Sequence, residues 1–86
     1  MIQLMLVDDH ELVRAGLRRI LEDAKGIKVI GEASTGEEAI QMVRQRKPDV
    51  VIMDVNMPGI GGLETTRKLM QISPDIKVIV VTVHVD

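Results

Sequence analysis

Four short apolar runs, separated by three segments with helical periodicity, constrain the fold of this chain more than any other feature. The runs occupy residues 2–7, 27–33, 50–53 and 77–82. Residues 2–7 are continuously apolar with one polar interruption, which is typical of a strand buried on both faces of a sheet, whereas residues 27–33 read as a strand that alternates less cleanly. Each intervening segment is long enough to return the chain to the start of a parallel neighbour. The order β-α-β-α-β-α-β therefore predicts an α/β domain with a doubly wound parallel sheet.

Helix boundaries are predicted from local signals. Thr35 and Glu38 have the spacing of a capping box, in which both side chains satisfy free N–H groups at the start of a helix, and this helix should stop before Pro48. Gly26 is predicted to close the preceding helix. The third helix is predicted over residues 63–72.

Composition limits the possible partners. The 86 residues are few enough for one domain, 1–86, and they include no aromatic residue and no cysteine. Without aromatic side chains the chain has no platform on which bases could stack, and a net charge of −2 gives no basic surface for nucleic acid. No apolar run approaches the roughly 20 residues that span a bilayer. We expect a cytoplasmic domain with no membrane partner.

Carboxylates follow two of the predicted strands. Asp8 and Asp9 follow the first, Asp54 follows the third, and Thr82 ends the fourth. Functional crevices of open parallel sheets lie at the carboxyl ends of the strands, so these side chains are expected to converge. Carboxylates packed together repel one another, and Mg²⁺, which prefers oxygen ligands, would relieve that repulsion. A magnesium site is therefore predicted at this edge.

Roles follow from that arrangement. Asp9 and Asp54 could bind the metal directly, the backbone carbonyl of Asn56 could be a third ligand, and Asp8 could hold a metal-bound water. Asp54 could then attack a phosphoryl group to form an acyl phosphate, and the Thr82 hydroxyl could bind a phosphoryl oxygen and act as a switch. The alternative for any one Asp is a turn former or helix N-cap, and Asn56 could simply favour the turn.

The sequence gives weaker indications of function for the residues near these carboxylates. His10 could be a metal ligand or proton shuttle, but an exposed position in the first turn of the helix is favoured. Met57 and Pro58 fill and shape the loop after Asp54 and so border the site. The arginines of the first helix, Arg14, Arg18 and Arg19, are predicted to form a solvated basic face.

Three stretches, DDHELVRAGL, DVNMPGIGGLE and VIVVTVH, together resemble the receiver domain of bacterial two-component response regulators. Within that family they are similar to the LuxR/NarL-type class and to its GacA/UvrY group. The resemblance implies a flavodoxin-like sheet of order 2-1-3-4 and Mg²⁺-dependent phosphorylation of Asp54 by a sensor histidine kinase or phosphotransfer domain. It also implies that His84 borders the site, and that DNA is bound only through a C-terminal domain outside these residues. For the basic face of the first helix, the resemblance offers docking of the phosphotransfer partner as the alternative to a solvated face. The expected protein is a phosphorylated switch, not a turnover enzyme.

The chain departs from the family in length. Receivers run to about 120 residues, an ordinary domain size, and continue through a fourth helix, a fifth strand and a fifth helix that this sequence lacks. That segment contains a lysine that pairs with the phosphoryl group, and Lys77, at the amino end of its strand, is not placed to replace it. A non-phosphorylatable interaction module and a fragment of an aspartyl-phosphate phosphohydrolase are therefore the alternatives. The exposed fourth strand is also expected to promote self-association.

Overall fold

The computed structural model describes residues 1–82, which form four strands and three helices. All strands are parallel, in the order β2-β1-β3-β4. The doubly wound prediction is therefore confirmed. The strands are β1 (Ile2–Val7), β2 (Ile27–Ala33), β3 (Val50–Asp54) and β4 (Lys77–Val81), and the helices are α1 (Glu11–Glu22), α2 (Gly36–Gln45) and α3 (Gly61–Ile72).

Strand register brings the predicted acidic residues to one level. Val7 of β1 lies opposite Met53 of β3, so the residues that follow, Asp8 and Asp54, are neighbours at the carboxyl edge of the sheet. Asp54 is in turn opposite Val81 of β4. The central strands therefore end together.

The core lies mainly between the sheet and helices α2 and α3. Because side chains alternate along a strand, Met5 and Val7 point to this face, where they join Leu69 of α3 in one buried cluster. Leu4 and Leu6 point to the opposite face and are also buried. Helix α1 contacts β1 and β2 but fully buries none of its own residues. The apolar volume is supplied by methionine and aliphatic side chains alone, as the composition requires.

Two predicted helix signals differ in detail from the structure. Helix α1 ends at Glu22, before Gly26, which instead has φ = 82° and accepts a hydrogen bond from the Ile2 N–H at 2.6 Å. Gly26 thus shapes the turn into β2, because a positive φ is costly for residues with a side chain. At the start of α2, Thr35 Oγ1 accepts from the Glu38 N–H at 3.1 Å as predicted. The Glu38 carboxylate, however, accepts from the Ser34 hydroxyl at 3.4 Å.

Other boundaries shift by one or two residues. Strand β3 includes Asp54, β4 stops at Val81 just before Thr82, and α3 begins at Gly61. None of the helices within residues 1–82 has the length and apolar character needed to cross a bilayer.

Candidate metal and phosphoacceptor site

The turn from β1 into α1 fixes the first two carboxylates. The Asp8 N–H donates to the Ala33 carbonyl at 3.0 Å, which extends the pairing of β1 with β2 by one residue. Asp8 is 3% exposed, and its Oδ1 accepts from the His10 N–H at 2.7 Å. Asp9 is exposed at the rim. The buried Asp8 and the accessible Asp9 therefore present carboxylates at two depths.

Asp54 lies at the floor of the site. It is 0% exposed, and its Oδ1 accepts from the Asn56 N–H at 2.9 Å. The first turn of α3 packs directly beneath it, because a Cβ at Gly62 would overlap the Asp54 carbonyl oxygen. Only glycine permits this approach of helix to strand. The absence of a side chain at Gly62 therefore sets how closely α3 approaches Asp54.

His10 joins the carboxylates, contrary to the prediction of an exposed first-turn residue. It is the N-cap residue of α1, with an extended backbone at φ = −92° and ψ = 101°, and so precedes the first turn. Its Nδ1 lies 3.1 Å from Asp8 Oδ1, 3.0 Å from Asp9 Oδ1 and 3.6 Å from Asp54 Oδ2. The hydrogen bond to Asp8 is the main cause that raises the pKa of His10 above its ordinary value; desolvation opposes it, and the negative charges of Asp9, Asp8 and Asp54 add to the rise.

Two carboxylate oxygens of the site have no hydrogen-bond partner. Among the described residues, Asp8 Oδ2 and Asp54 Oδ2 are the buried side-chain oxygens that no hydrogen bond satisfies. Asp8, Asp9, His10 and Asp54 can each offer one ligand atom, and these atoms lie within 4.8 Å of one another. Buried, unsatisfied carboxylate oxygens are costly, and a divalent cation would satisfy them. The residues present therefore fit a metal ion such as Mg²⁺.

Arg14 supports the site from α1. Its Nη1 donates to the Asp8 carbonyl oxygen at 2.6 Å and its Nε to Glu32 Oε1 of β2 at 3.1 Å. Arg18 Nη1 donates to the second oxygen of Glu32 at 2.7 Å. The prediction of a wholly solvated basic face was therefore wrong for Arg14. The four-residue spacing of Arg14 and Arg18 placed them on one face, but only the structure shows that Glu32 lies opposite.

The remaining predicted residues surround this centre. Asn56 is exposed beside Asp54, Pro58 is exposed in the following loop, and Met57 is buried in the core cluster beneath it. The Val55 N–H donates to the Val81 carbonyl at 2.9 Å, which holds the end of β4, and hence the exposed Thr82, beside this loop. His84 lies outside the described residues. The roles of these residues remain predictions.

Comparison with known proteins decides the family. The family described as "Response regulator receiver domain" matches residues 4–86. The chain belongs to the response regulator receiver family. This receiver is 63% identical over 86 residues to the response regulator UvrY of Escherichia coli K12, a match that covers 100% of this chain and 39% of UvrY. It is 59% identical over 83 residues to the response regulator GacA of Pseudomonas aeruginosa, covering 96% of this chain and 39% of GacA.

Solved structures agree. The crystal structure of a LuxR-family two-component response regulator from Aurantimonas superposes with a TM-score of 0.92 and 40% sequence identity, over 99% of this chain and 61% of that one. The predicted flavodoxin-like receiver fold and the resemblance to the GacA/UvrY group are thereby confirmed. The receiver spans 39% of the length of UvrY and GacA, so activities of the whole proteins are matters for proposal.

Proposed function

We propose that this receiver is a phosphorylatable switch, in which Asp54 accepts a phosphoryl group from a sensor histidine kinase or phosphotransfer domain. One observation carries the proposal: Asp54 Oδ2 is buried without a hydrogen-bond partner, at the point where β1, β3 and β4 end. A carboxylate without a partner is costly, and this one lies where incoming ligands meet open parallel sheets.

The neighbours of Asp54 prepare it as a nucleophile. The Asn56 N–H holds Oδ1, which leaves Oδ2 free to form a bond to phosphorus while the bond from phosphorus to the donor nitrogen breaks. The product is an acyl phosphate on Asp54, and the electron pair of the broken bond stays with the donor imidazole. Mg²⁺, when bound, would neutralise charge on the phosphoryl group.

Each remaining residue has a proposed task. Asp9 and Asp54 bind the metal directly, the Asn56 carbonyl is a third ligand, and Asp8 holds a metal-bound water. The Thr82 hydroxyl donates to a phosphoryl oxygen and so moves the end of β4, which the backbone bond from Val55 ties to the loop after Asp54. We further propose that the switch controls a DNA-binding domain C-terminal to the receiver in a longer protein.

Two alternatives predict different chemistry. An aspartyl-phosphate phosphohydrolase needs a second acid two residues after its nucleophile, and that position is Asn56. A non-phosphorylatable interaction module would form no stable acyl phosphate. Formation of such a phosphate therefore separates the switch from the module, and its persistence separates the switch from the hydrolase.

Intact mass spectrometry tests the proposal. The chain is incubated with acetyl phosphate with and without Mg²⁺, beside the Asp54→Asn variant as the matched control. We expect one phosphoryl adduct, formed only with Mg²⁺ and only on the unmutated chain. Absence of an adduct from a folded chain that binds Mg²⁺ would favour the interaction module.

Self-association of the chain through β4 is a further part of the proposal. In the described sheet β4 pairs only with β3, and its Ile79 and Val80 are 53% and 42% exposed. An edge strand with exposed apolar side chains is a template for pairing with a second chain. Sedimentation velocity should show a concentration-dependent dimer, and a monodisperse monomer at all concentrations would contradict this part.

A further inference from the structure

The imidazole of His10 lies among the carboxylates of the candidate metal site. Its Nδ1 points at carboxylate oxygens of Asp8, Asp9 and Asp54, at 3.1, 3.0 and 3.6 Å. Mg²⁺ prefers oxygen ligands to nitrogen ligands. A nitrogen among three carboxylates is instead the donor set of a transition-metal or zinc site.

We propose that His10 Nδ1 is a metal ligand, and that Asp8, Asp9, His10 and Asp54 form a site that takes a divalent transition cation such as Co²⁺, Ni²⁺ or Zn²⁺ in competition with Mg²⁺. The inference rests on the proposed function, because it uses the same carboxylates. It goes further in naming a nitrogen donor and the class of cation that this donor selects.

The distances from His10 Nδ1 to the carboxylate oxygens match those between two ligand atoms bound to the same metal ion. With metal–ligand bonds of about 2.1 Å, adjacent ligand atoms are about 3.0 Å apart in an octahedron and about 3.4 Å apart in a tetrahedron. The distances from Nδ1 to the three carboxylates bracket these values. The ring therefore needs no large movement to share a cation with them.

Two independent features make the site more than a group of acidic residues. Asp8 Oδ2 and Asp54 Oδ2 are buried with no hydrogen-bond partner, so two donors are already desolvated and available. His10 is also held at two points, because both its backbone N–H and its ring Nδ1 contact Asp8 Oδ1, at 2.7 and 3.1 Å. The ligand atoms are thus held together before a metal arrives, which lowers the cost of binding.

Imidazole changes which cation binds best. Sites with nitrogen donors follow the Irving–Williams order, so Co²⁺, Ni²⁺ and Zn²⁺ gain from His10, whereas Mg²⁺ binds through the carboxylates alone. Removing the imidazole should therefore weaken transition cations selectively. The informative quantity is the ratio of Co²⁺ to Mg²⁺ affinity, because carboxylates alone already favour Co²⁺ to some extent.

Isothermal titration of the full 86-residue chain with Co²⁺ and with Mg²⁺, each alone, measures this ratio. Arg67→Gln, at an exposed position of α3 outside this cluster, is the control for His10→Gln. We expect His10→Gln to weaken Co²⁺ binding about 10-fold or more, as loss of a ligand does, and to change Mg²⁺ binding less than about twofold. The control should change neither affinity.

A second measurement needs no variant, and so does not depend on how substitutions fold. Bound Co²⁺ is paramagnetic, and direct ligation should shift the ring resonances of His10 far outside the diamagnetic range. Unshifted His10 resonances at saturating Co²⁺, or an unchanged affinity ratio in His10→Gln, would overturn the inference. If the Mg²⁺-dependent phosphoryl adduct on Asp54 still formed, the proposed function would stand; if neither cation bound and no adduct formed, both would fail.

Discussion

Replacing Gly62 with alanine tests how the fold positions Asp54. A Cβ at this position would overlap the Asp54 carbonyl oxygen and approach Val55 Cα to 2.7 Å. These atoms belong to the backbone at the end of β3, so they cannot rotate away as a flexible side chain would. The start of α3 must therefore move away from the sheet, or the end of β3 must shift.

Two opposing effects set the magnitude for Gly62→Ala. Alanine in place of glycine stabilises a helix by up to about 1 kcal/mol. Overpacking costs about 1–3 kcal/mol, and an overlap with backbone belongs at the upper end of that range. We expect a net loss of about 2 kcal/mol in the free energy of unfolding, which lowers the urea midpoint by about 1 M for a slope near 2 kcal/mol/M.

Gly16→Ala is the matched control. Gly16 lies within α1, and a Cβ there would meet nothing within 4 Å. The same substitution should therefore raise stability by about 0.5–1 kcal/mol. Urea unfolding followed by circular dichroism measures both variants, and Mg²⁺ titration should show weaker binding in Gly62→Ala only. Stabilisation by both substitutions would refute the close approach of α3 to Asp54.

Three further substitutions test the electrostatics of the site. Asp54→Asn removes a buried carboxylate whose Oδ2 accepts no hydrogen bond from residues 1–82, so the free energy of unfolding of the metal-free chain should rise by about 1 kcal/mol in thermal unfolding, while the Mg²⁺-induced rise in Tm disappears. The pKa of His10 is raised by its hydrogen bond to Asp8, so its contribution to stability is complete below the ordinary pKa and is lost as pH rises through the raised one. The metal-free His10→Gln variant should not show this loss of stability when its free energy of unfolding is measured across pH. A pH profile identical to that of the unmutated chain would contradict the prediction. Arg14→Ala should lower the free energy of unfolding, measured in urea, by about 1–3 kcal/mol, because the Asp8 carbonyl loses its hydrogen bond from Arg14. As a control, removing the side chain of the exposed Arg67 should cause no measurable change.

Residues that depend on strand order were predictable from sequence. Apolar runs ending in Asp8 and Asp54 fix both the strands and the edge to which their carboxylates belong, because parallel strands end on the same side of a sheet. The convergence of these two residues therefore needed only the topology, and the register of β1 with β3 confirms it.

Residues that depend on side-chain direction were not predictable. The ring nitrogen of His10 lies between 3.0 and 3.6 Å from three carboxylates, and residue spacing does not encode the direction of a side chain. Arg14 lies on the polar side of an amphipathic pattern, which separates apolar from polar positions but does not identify what a polar residue faces. The role of Gly62 is an approach of two backbones, which no local sequence pattern expresses.

In the metal-free site, three neighbouring carboxylates lower the stability of the fold, and the side chain of His10 reduces this loss. Three carboxylates meet where β1 and β3 end, and the oxygens of Asp8 and Asp54 that no hydrogen bond satisfies are those expected to bind metal and phosphoryl. Arg14 neutralises none of these oxygens, because it binds the Asp8 carbonyl and Glu32. Among residues 1–82, His10 is the basic residue whose side chain contacts all three carboxylates, and it does so from a partly exposed position. A removable imidazole can hold the charges together until a cation arrives, whereas a buried lysine or arginine in its place would oppose entry of that cation.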